Sequence, residues 1–360
     1  MIQQKKNLTA FILLIVFCVI MTGCKDDSKD VTATVVEEDQ FGDAMLDMEE
    51  IDFEYGDSVN ISFSGGYELK EVPYYPDFFG KRGSAILTDH FDKVSIAGIG
   101  CSFNATAGIQ IGEKVTISLE EKGRYKEELE AYSINDALIP AEGQSDEAFR
   151  NAREITVGQI QEKRLYRGAS PFDPNFGRTE LMDQYLMEND IKCVLNLTDT
   201  REKLESYENL PDHTVSMISN DQVITCSIGV DYLDPTAMQT LGQGLAEMSE
   251  HEGPYMIQCS LGRDRTGVVS AVIEALCGAT YQEIIDDYMV SYDMLHSIDM
   301  DPDSLQYKLF KQRIDEQLEA VLGIEIEKLP DSDLKEPAYN YLLKCGMTEQ
   351  QIERLIDNLC

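Results

Sequence analysis

The chain has 360 residues, of which 43% are hydrophobic and 27% are charged, and its formal net charge is −36. This length and composition suit a globular protein of about two domains and exclude a chain that is disordered throughout. The strong negative charge argues against binding to nucleic acid and against electrostatic attraction to an anionic membrane surface.

The N-terminal segment has the layout of a secretory signal peptide, which we assign to residues 1–23. Lys5 and Lys6 provide a positive start, residues 11–21 are apolar but too few to cross a bilayer comfortably, and the sequence MTGC ends at Cys24. This ending resembles the lipobox of bacterial lipoproteins, which implies cleavage before Cys24 and lipidation of that cysteine. The alternative is an uncleaved membrane anchor. Either way, we expect an extracytoplasmic protein held at the cell membrane, in the first case by its lipid.

Two further segments precede the second half of the chain. Residues 24–57 are rich in acidic side chains, and mutual repulsion predicts an extended, solvated linker. Residues 58–135 contain short alternating or β-branched runs broken by glycine, which predict a small all-β domain, either a sandwich or a barrel. This domain could bind a ligand or act as a spacer, because a fold alone does not define a function.

Residues 147–360 have an α/β pattern. The runs KRLYRG, IKCVLNL, TVSMIS and PYMIQC predict strands, and amphipathic segments between and after them predict helices. The apolar character of these strands is typical of a parallel sheet that is covered on both faces. The predicted fold is therefore an α/β domain, with a central, mostly parallel sheet flanked by helices, preceded by the small all-β domain.

The sequence QCSLGRDRTG joins the last predicted strand to an apolar predicted helix. A loop at such a junction can direct several backbone N–H groups at one anion, and the positive end of the helix adds to this attraction. Gly262 and Gly267 allow close approach and free turning of the backbone. Because Cys259 stands at the base of this loop, we expect its thiolate form to be favoured and nucleophilic.

Two further side chains of this loop complete a chemical proposal. Arg265 offers a planar fork that matches two oxygens of a phosphoryl group and the charge of its transition state. Thr266 can donate a hydrogen bond to the sulfur of Cys259 or assist its departure. A thiolate facing an arginine predicts a two-step phosphate transfer, first to sulfur and then to water.

The motif resembles the C-x5-R-S/T-G phosphate loop of cysteine-dependent protein tyrosine phosphatases, and more closely that of atypical bacterial tyrosine/lipid phosphatases. The latter loop typically reads HC-x-x-G-K-D-R-T-G. The resemblance extends over residues 147–360 through RLYRGASP, CVLNLTDTRE and DDYMVSYD. It implies that Cys259 is the nucleophile and that the phosphate is bound by Ser260, Leu261, Gly262, Arg263, Asp264 and Arg265.

The chain departs from the resembling family at two positions. Gln258 stands where the family has histidine, which removes one contribution to thiolate stability. Arg263 replaces the usual lysine and keeps the charge expected of members that accept phosphoinositides, although its geometry differs.

Expulsion of the leaving group also needs a general acid. The upstream candidates are Asp199, Asp221, Asp231 and Asp234, and Asp264 within the loop is a rival. We prefer Asp221, because the predicted strand TVSMIS would place it at the rim where α/β sites assemble. The resembling phosphatases keep their acid in a similar place. Arg167 could line the pocket or form a structural salt bridge.

The predicted function is hydrolysis of phosphomonoesters through a cysteinyl-phosphate. The most favoured substrate is a phosphotyrosine protein, with phosphoinositides or another small phosphomonoester as further candidates. The alternatives are a non-catalytic phosphate-binding surface lipoprotein and an adhesin that uses the all-β domain. No metal or other cofactor is expected, because the cysteines and histidines form no ligand cluster in the sequence. The expected partners are thus a phosphorylated substrate and, through the lipid, the membrane, but no nucleic acid.

Overall fold

Seven antiparallel strands form one sheet in the N-terminal region of the computed structural model, which describes residues 30–39, 42–90, 93–134 and 140–360. The spatial order of the strands is β4-β3-β7-β1-β2-β6-β5. A bridge from Tyr74 to Leu87 brings the two edges of the sheet together. The elements are β1 (Val31–Glu38), β2 (Ala44–Leu46), β3 (Ser58–Phe63), β4 (Glu68–Pro73), β5 (Ala85–Thr88), β6 (Ser95–Gly98), α1 (Phe103–Ala107), β7 (Lys114–Glu121) and α2 (Lys126–Tyr132).

The prediction of a solvated linker over residues 24–57 is wrong for β1 and β2. Strand β1 lies in the middle of the sheet, where it pairs with both β7 and β2. Its side chains alternate, so that Ala33 and Val35 are buried, whereas Glu37 and Glu38 lie at its exposed end. The apolar alternation therefore determined the structure here, and the charge of the segment did not prevent pairing. The all-β region consequently begins about 27 residues earlier than predicted, since β1 starts at Val31 instead of residue 58, and it also carries two short helices.

The predicted signal peptide and Cys24 lie outside the described residues. Within the described ranges, no helix combines the length and the apolar character needed to cross a bilayer.

The second region contains a mixed five-stranded sheet in the order β11-β10-β12-β9-β8. Three of its pairings are parallel, and the edge strand β8 is antiparallel to β9. The elements up to the last strand are α3 (Asp146–Arg150), β8 (Arg153–Ile155), β9 (Leu165–Ala169), α4 (Thr179–Glu188), β10 (Cys193–Asn196), α5 (Arg201–Glu205), α6 (Asp212–Ser219), β11 (Val223–Thr225), α7 (Pro235–Glu250) and β12 (Tyr255–Cys259).

The remaining helices follow the last strand. They are α8 (Asp264–Leu276), α9 (Tyr281–His296), α10 (Leu305–Leu322), α11 (Lys335–Lys344) and α12 (Glu349–Leu359). Almost all of α8 is buried, because it packs between the sheet and the later helices. The prediction that segments after the last strand form helices is confirmed by α9 to α12.

The prediction that TVSMIS forms a strand is wrong, because this sequence lies in α6. The buried positions of α6 are Thr214, Met217 and Ile218, which are spaced three and four residues apart as on one face of a helix. Pro211 at the N-cap fixes the start of the helix. The strand follows only after Asp221, whose φ of 54° marks a left-handed turn.

The two regions pack together through α2 and α10. The rings of Phe79 and Tyr132 are stacked with centroids 4.9 Å apart, and Tyr132 makes an edge contact with Phe310 at 6.0 Å. The backbone N–H of Arg82 donates to Oε2 of Glu316 at 2.8 Å. The all-β region is therefore docked on the helices that follow the phosphate loop.

The central position of β1 generates a test of the corrected N-terminal boundary. Val35→Asp places a carboxylate at a fully buried site, and we expect it to lower the free energy of unfolding by roughly 3 kcal/mol. Urea unfolding monitored by tyrosine fluorescence measures this loss. The matched control is Val36→Asp at the neighbouring exposed position, which should change stability by less than about 0.5 kcal/mol. Equal stability of the two variants would contradict the placement of β1.

Candidate active site

The QCSLGRDRTG motif forms the predicted junction between a strand and a helix. Cys259 is the last residue of β12, and α8 begins at Asp264, so that only four residues turn the chain between them. Cys259 is 2% exposed. The loop lies at the carboxyl edge of the parallel strands and at the N-terminus of a buried helix, where backbone N–H groups attract an anion.

Glycine is required at two positions of this motif. Gly262 has a φ of 70°, and a Cβ atom there would come within 2.2 Å of the carbonyl carbon of Gly168. A Cβ atom on Gly267 would come within 2.5 Å of the Tyr288 ring. The loop therefore packs directly on the end of β9, and α8 packs directly on α9.

Carbonyl groups of the loop accept hydrogen bonds from side chains outside the loop. Nη2 of Arg167 donates to the carbonyl oxygen of Gly262 at 3.1 Å and to that of Arg263 at 3.4 Å. Nδ2 of Asn151 donates to the carbonyl oxygen of Leu261 at 2.8 Å. Because the carbonyls are held from outside, the N–H groups of the same peptides are free to face an anion.

A buried charge network supports Arg167. Its Nη1 pairs with Oδ2 of Asp287, and Nε of Arg153 pairs with Oδ1 of the same carboxylate at 2.8 Å. Burial raises the pKa of Asp287, but Arg167 and Arg153 outweigh this effect and hold the pKa at about 2. Burial and the nearby Asp287 raise the pKa of Glu274, which favours its neutral form. Arg167 was expected either to line the pocket or to form a structural salt bridge, and its contacts are those of a structural salt bridge. The same guanidinium also donates to the carbonyls of the loop.

Arg265 is turned across its own loop. Its Nη2 donates to Oγ of Ser260 at 3.1 Å, and its Nη1 lies 3.4 Å from the carbonyl oxygens of both Leu197 and Ile228. The guanidinium thus lies on the same side of the sheet as Cys259, between the loop after β10 and the loop after β11. This position is compatible with a fork that binds phosphoryl oxygens.

Two buried side chains beside Cys259 have unused hydrogen-bonding capacity. Oγ1 of Thr266 has no partner among the described residues, so the predicted bond to the Cys259 sulfur is not formed in this conformation. The amide of Gln258, at the position of the family's histidine, likewise has no partner in the described chain.

Arg263 and Asp264 form an ion pair within the motif. Nε and Nη2 of Arg263 donate to the Asp264 carboxylate at 3.0 to 3.2 Å, and Nη1 lies 2.6 Å from Nε2 of His296. Burial raises the pKa of Asp264, but Arg263 lowers it overall, so the carboxylate remains ionised. Asp264 is therefore poorly suited to donate a proton.

The structure does not bring Asp221 to the phosphate loop. The prediction that Asp221 follows a strand and lies at the rim of the site is therefore wrong. Asp221 precedes β11, and Val223 of β11 lies in register with Val194 and Met256 of the parallel strands, whereas Cys259 ends β12. At about 3.3 Å per residue, Asp221 and Cys259 are separated by roughly 16 Å along the strand direction. The Asp221 side chain is 86% exposed and lies 3.5 Å from Arg201.

The other upstream candidates follow the carboxyl ends of strands. Asp199, after β10, is buried, and its two oxygens accept from the Tyr207 hydroxyl at 2.9 Å and from Asn196 at 3.0 Å. Asp234 caps α7 by accepting from the N–H of Ala237.

Asp231 belongs to the same loop after β11 as Ile228, whose carbonyl faces Arg265. Its side chain is 54% exposed and pairs with Arg82 of the all-β region at 3.3 Å. Asp231 thus lies three residues after Ile228 in this loop. Its carboxylate is held by one surface ion pair and by the N–H of Leu233.

Sequence reasoning missed the residues that support the loop from outside. No role was predicted for Asn151 or Arg153, although Asn151 donates to the loop and Arg153 pairs with Asp287. Asp287 lies in the quoted sequence DDYMVSYD, where an acidic residue on a largely buried helix was an available signal for a buried ion pair.

Residues 148–360 match a family model described as the tyrosine phosphatase family. No curated protein matches the chain. An uncharacterized conserved protein from Thermotoga maritima is 18% identical over 25% of this chain, with a TM-score of 0.23, and the match spans only 38% of that protein. TpbA from P. aeruginosa is 16% identical over 52% of this chain and 96% of its own, with a TM-score of 0.25.

The similarity to these two solved structures is too low to add to the geometry described above. The family model, in contrast, covers more than half of the chain and includes the complete phosphate loop. The chain therefore belongs to the tyrosine phosphatase family.

Proposed function

We propose that the chain hydrolyses phosphomonoesters, with phosphotyrosine as the favoured substrate, by a two-step reaction on Cys259. The observation that carries this proposal is the arrangement of the loop. Its carbonyls are tied back by Arg167 and Asn151, and its cysteine and Arg265 lie on the same edge of the sheet. An anion held there would meet both the backbone N–H groups and the guanidinium.

In the first step, the Cys259 thiolate attacks phosphorus and forms the S–P bond, while the bond from phosphorus to the substrate oxygen breaks. The departing oxygen takes a proton from a general acid, because an unprotonated alkoxide or phenoxide is a poor leaving group. Arg265 and the loop N–H groups stabilise the charge on the three equatorial oxygens.

In the second step, a water molecule attacks phosphorus and the S–P bond breaks. The former acid, now a carboxylate, accepts a proton from the water, and the thiolate and inorganic phosphate are released. A rotation of the Thr266 hydroxyl, which has no partner among the described residues, would let it donate to the returning thiolate.

Asp231 is the proposed acid. It lies on the loop that already contacts Arg265 through Ile228, and its exposed carboxylate can approach a leaving group without breaking a buried network. Asp199 is less suited, because its two oxygens already accept hydrogen bonds from Tyr207 and Asn196, and Asp264 is paired with Arg263.

Phosphotyrosine is favoured over phosphoinositides because of Arg263. Its Nε, Nη1 and Nη2 are directed to Asp264 and His296, so its charge is largely compensated within the protein. We also retain the proposal that the protein is exported and anchored by lipid at Cys24, which rests on the N-terminal sequence alone.

Replacement of the nucleophile tests the enzymatic function. Cys259→Ser should lower kcat for para-nitrophenyl phosphate by roughly 10⁴-fold or more, since the intermediate can no longer form. Release of nitrophenolate measures the rate, and Cys101→Ser, in the all-β region, serves as the matched control with full activity. A protein that binds phosphate but shows no turnover with or without Cys259 would instead be the non-catalytic phosphate-binding protein.

Replacement of Asp231 tests the assignment of the acid. Asp231→Asn should lower kcat for phosphotyrosine by roughly 10²-fold or more. The loss should be smaller for para-nitrophenyl phosphate, because nitrophenolate leaves more readily without a proton. Asp221→Asn, at the opposite end of the strands, is the control and should keep its activity. A larger loss in Asp199→Asn than in Asp231→Asn would assign the acid to Asp199.

A further inference from the structure

A cavity of about 650 Å³ lies between the all-β region and the phosphate loop. Its walls come from both regions of the chain, and one of its lining residues, Leu261, belongs to the phosphate loop itself. The side chains that matter here are aromatic or cationic, namely Phe78, Phe79, Tyr132, Arg263, Phe310 and Arg313. The cavity is therefore placed to receive the part of a substrate that extends beyond its phosphate.

Arg313 is the exceptional residue of this cavity. Its guanidinium lies over two aromatic rings, 5.5 Å from the centroid of Phe310 and 5.8 Å from that of Tyr132. In the part of the chain that the structure describes, it makes no hydrogen bond and no ion pair within 4 Å. Cation–π contacts with both rings hold the guanidinium in place and leave its N–H donors available.

The charge of Arg313 is not compensated by a carboxylate of its own. Burial lowers the pKa of Arg313, but Tyr292 and Asp264 raise it overall, so the side chain remains a cation. Asp264 is at the same time neutralised by its bidentate contact with Arg263. Asp77, at the edge of the cavity, accepts from the N–H of Phe78 at 2.7 Å and lies 3.7 Å from His90.

We propose that this cavity binds a second anionic group of the substrate, a carboxylate or a phosphate, and that Arg313 is the residue that recognises it. The inference rests on the proposed phosphatase function and specifies its substrate class, a phosphomonoester with a further negative charge. The aromatic walls pack against the apolar part of the substrate, while the fork of Arg313 forms paired hydrogen bonds with the second group. The all-β region is thus part of the substrate site, through Phe79 and the α2 residue Tyr132.

The experiment uses three short peptides that differ only in the residue after phosphotyrosine, which is glutamine, glutamate or phosphoserine. Tyrosine absorbance follows dephosphorylation of the phosphotyrosine alone. The wild-type protein should show a kcat/KM about tenfold higher for the two anionic peptides than for the glutamine peptide, mainly through KM. The glutamate and phosphoserine peptides distinguish a carboxylate from a phosphate as the recognised group.

The variant Arg313→Gln should abolish this preference, and Arg313→Lys should retain part of it, because a lysine keeps the charge but not the fork. Lys308→Gln removes the same charge from an exposed site on the same helix, so it should leave both the activity and the preference unchanged. Melting temperatures establish whether each variant is folded. Equal rates of the wild-type protein on all three peptides, or a preference that persists in Arg313→Gln, would overturn the proposal.

Failure of the phosphatase function would be distinguishable from failure of this inference. If no peptide is hydrolysed, calorimetric titration of the Cys259→Ser protein with the same peptides measures the affinity of the protein for each of them. Tighter binding of the anionic peptides would then support recognition by Arg313 without catalysis, and equal affinities would reject it.

Discussion

The candidate site depends on one buried interaction, the contact of the Arg167 guanidinium with the carbonyls of Gly262 and Arg263. A loop that binds an anion through N–H groups must turn its carbonyls elsewhere, and those carbonyls need donors once they are buried. Arg167 supplies the donors, and Asp287 supplies the charge that allows an arginine to be buried. The geometry around Cys259 is therefore determined largely by side chains that bind the carbonyls of the loop.

This dependence explains which parts of the site could be predicted from the sequence. The loop itself was predictable, because the chemistry of Cys259, Gly262 and Arg265 requires fixed residue types at fixed short spacings. The ion pair of Arg167 and Asp287 was not, because it joins residues 120 positions apart and no spacing encodes such a contact. Asp231 remained one of several candidates for the same reason, since its ion pair with Arg82 and the contact of Ile228, in the same loop, with Arg265 come from tertiary structure.

The two errors in the predicted fold have the same cause. In both segments, the prediction followed the local composition, whereas the structure follows the periodicity of the buried residues. TVSMIS is rich in residues that favour strands, yet Thr214, Met217 and Ile218 repeat with helical spacing and are buried on one face. The segment that contains β1 is acidic, yet Ala33 and Val35 alternate as in a strand and reach the core of the sheet. In both segments, the pattern of the buried residues predicted the structure better than the average character of the segment.

If Cys24 carries the proposed lipid, the early start of β1 limits how far the folded protein can extend from the membrane. Only six residues separate Cys24 from Val31, and a fully stretched chain of that length spans about 25 Å. With a lipid on Cys24, the folded body would remain close to the bilayer surface, and the acidic segment could not act as a long stalk. Such an enzyme would sample a thin layer next to its own membrane, and its substrates would have to enter that layer.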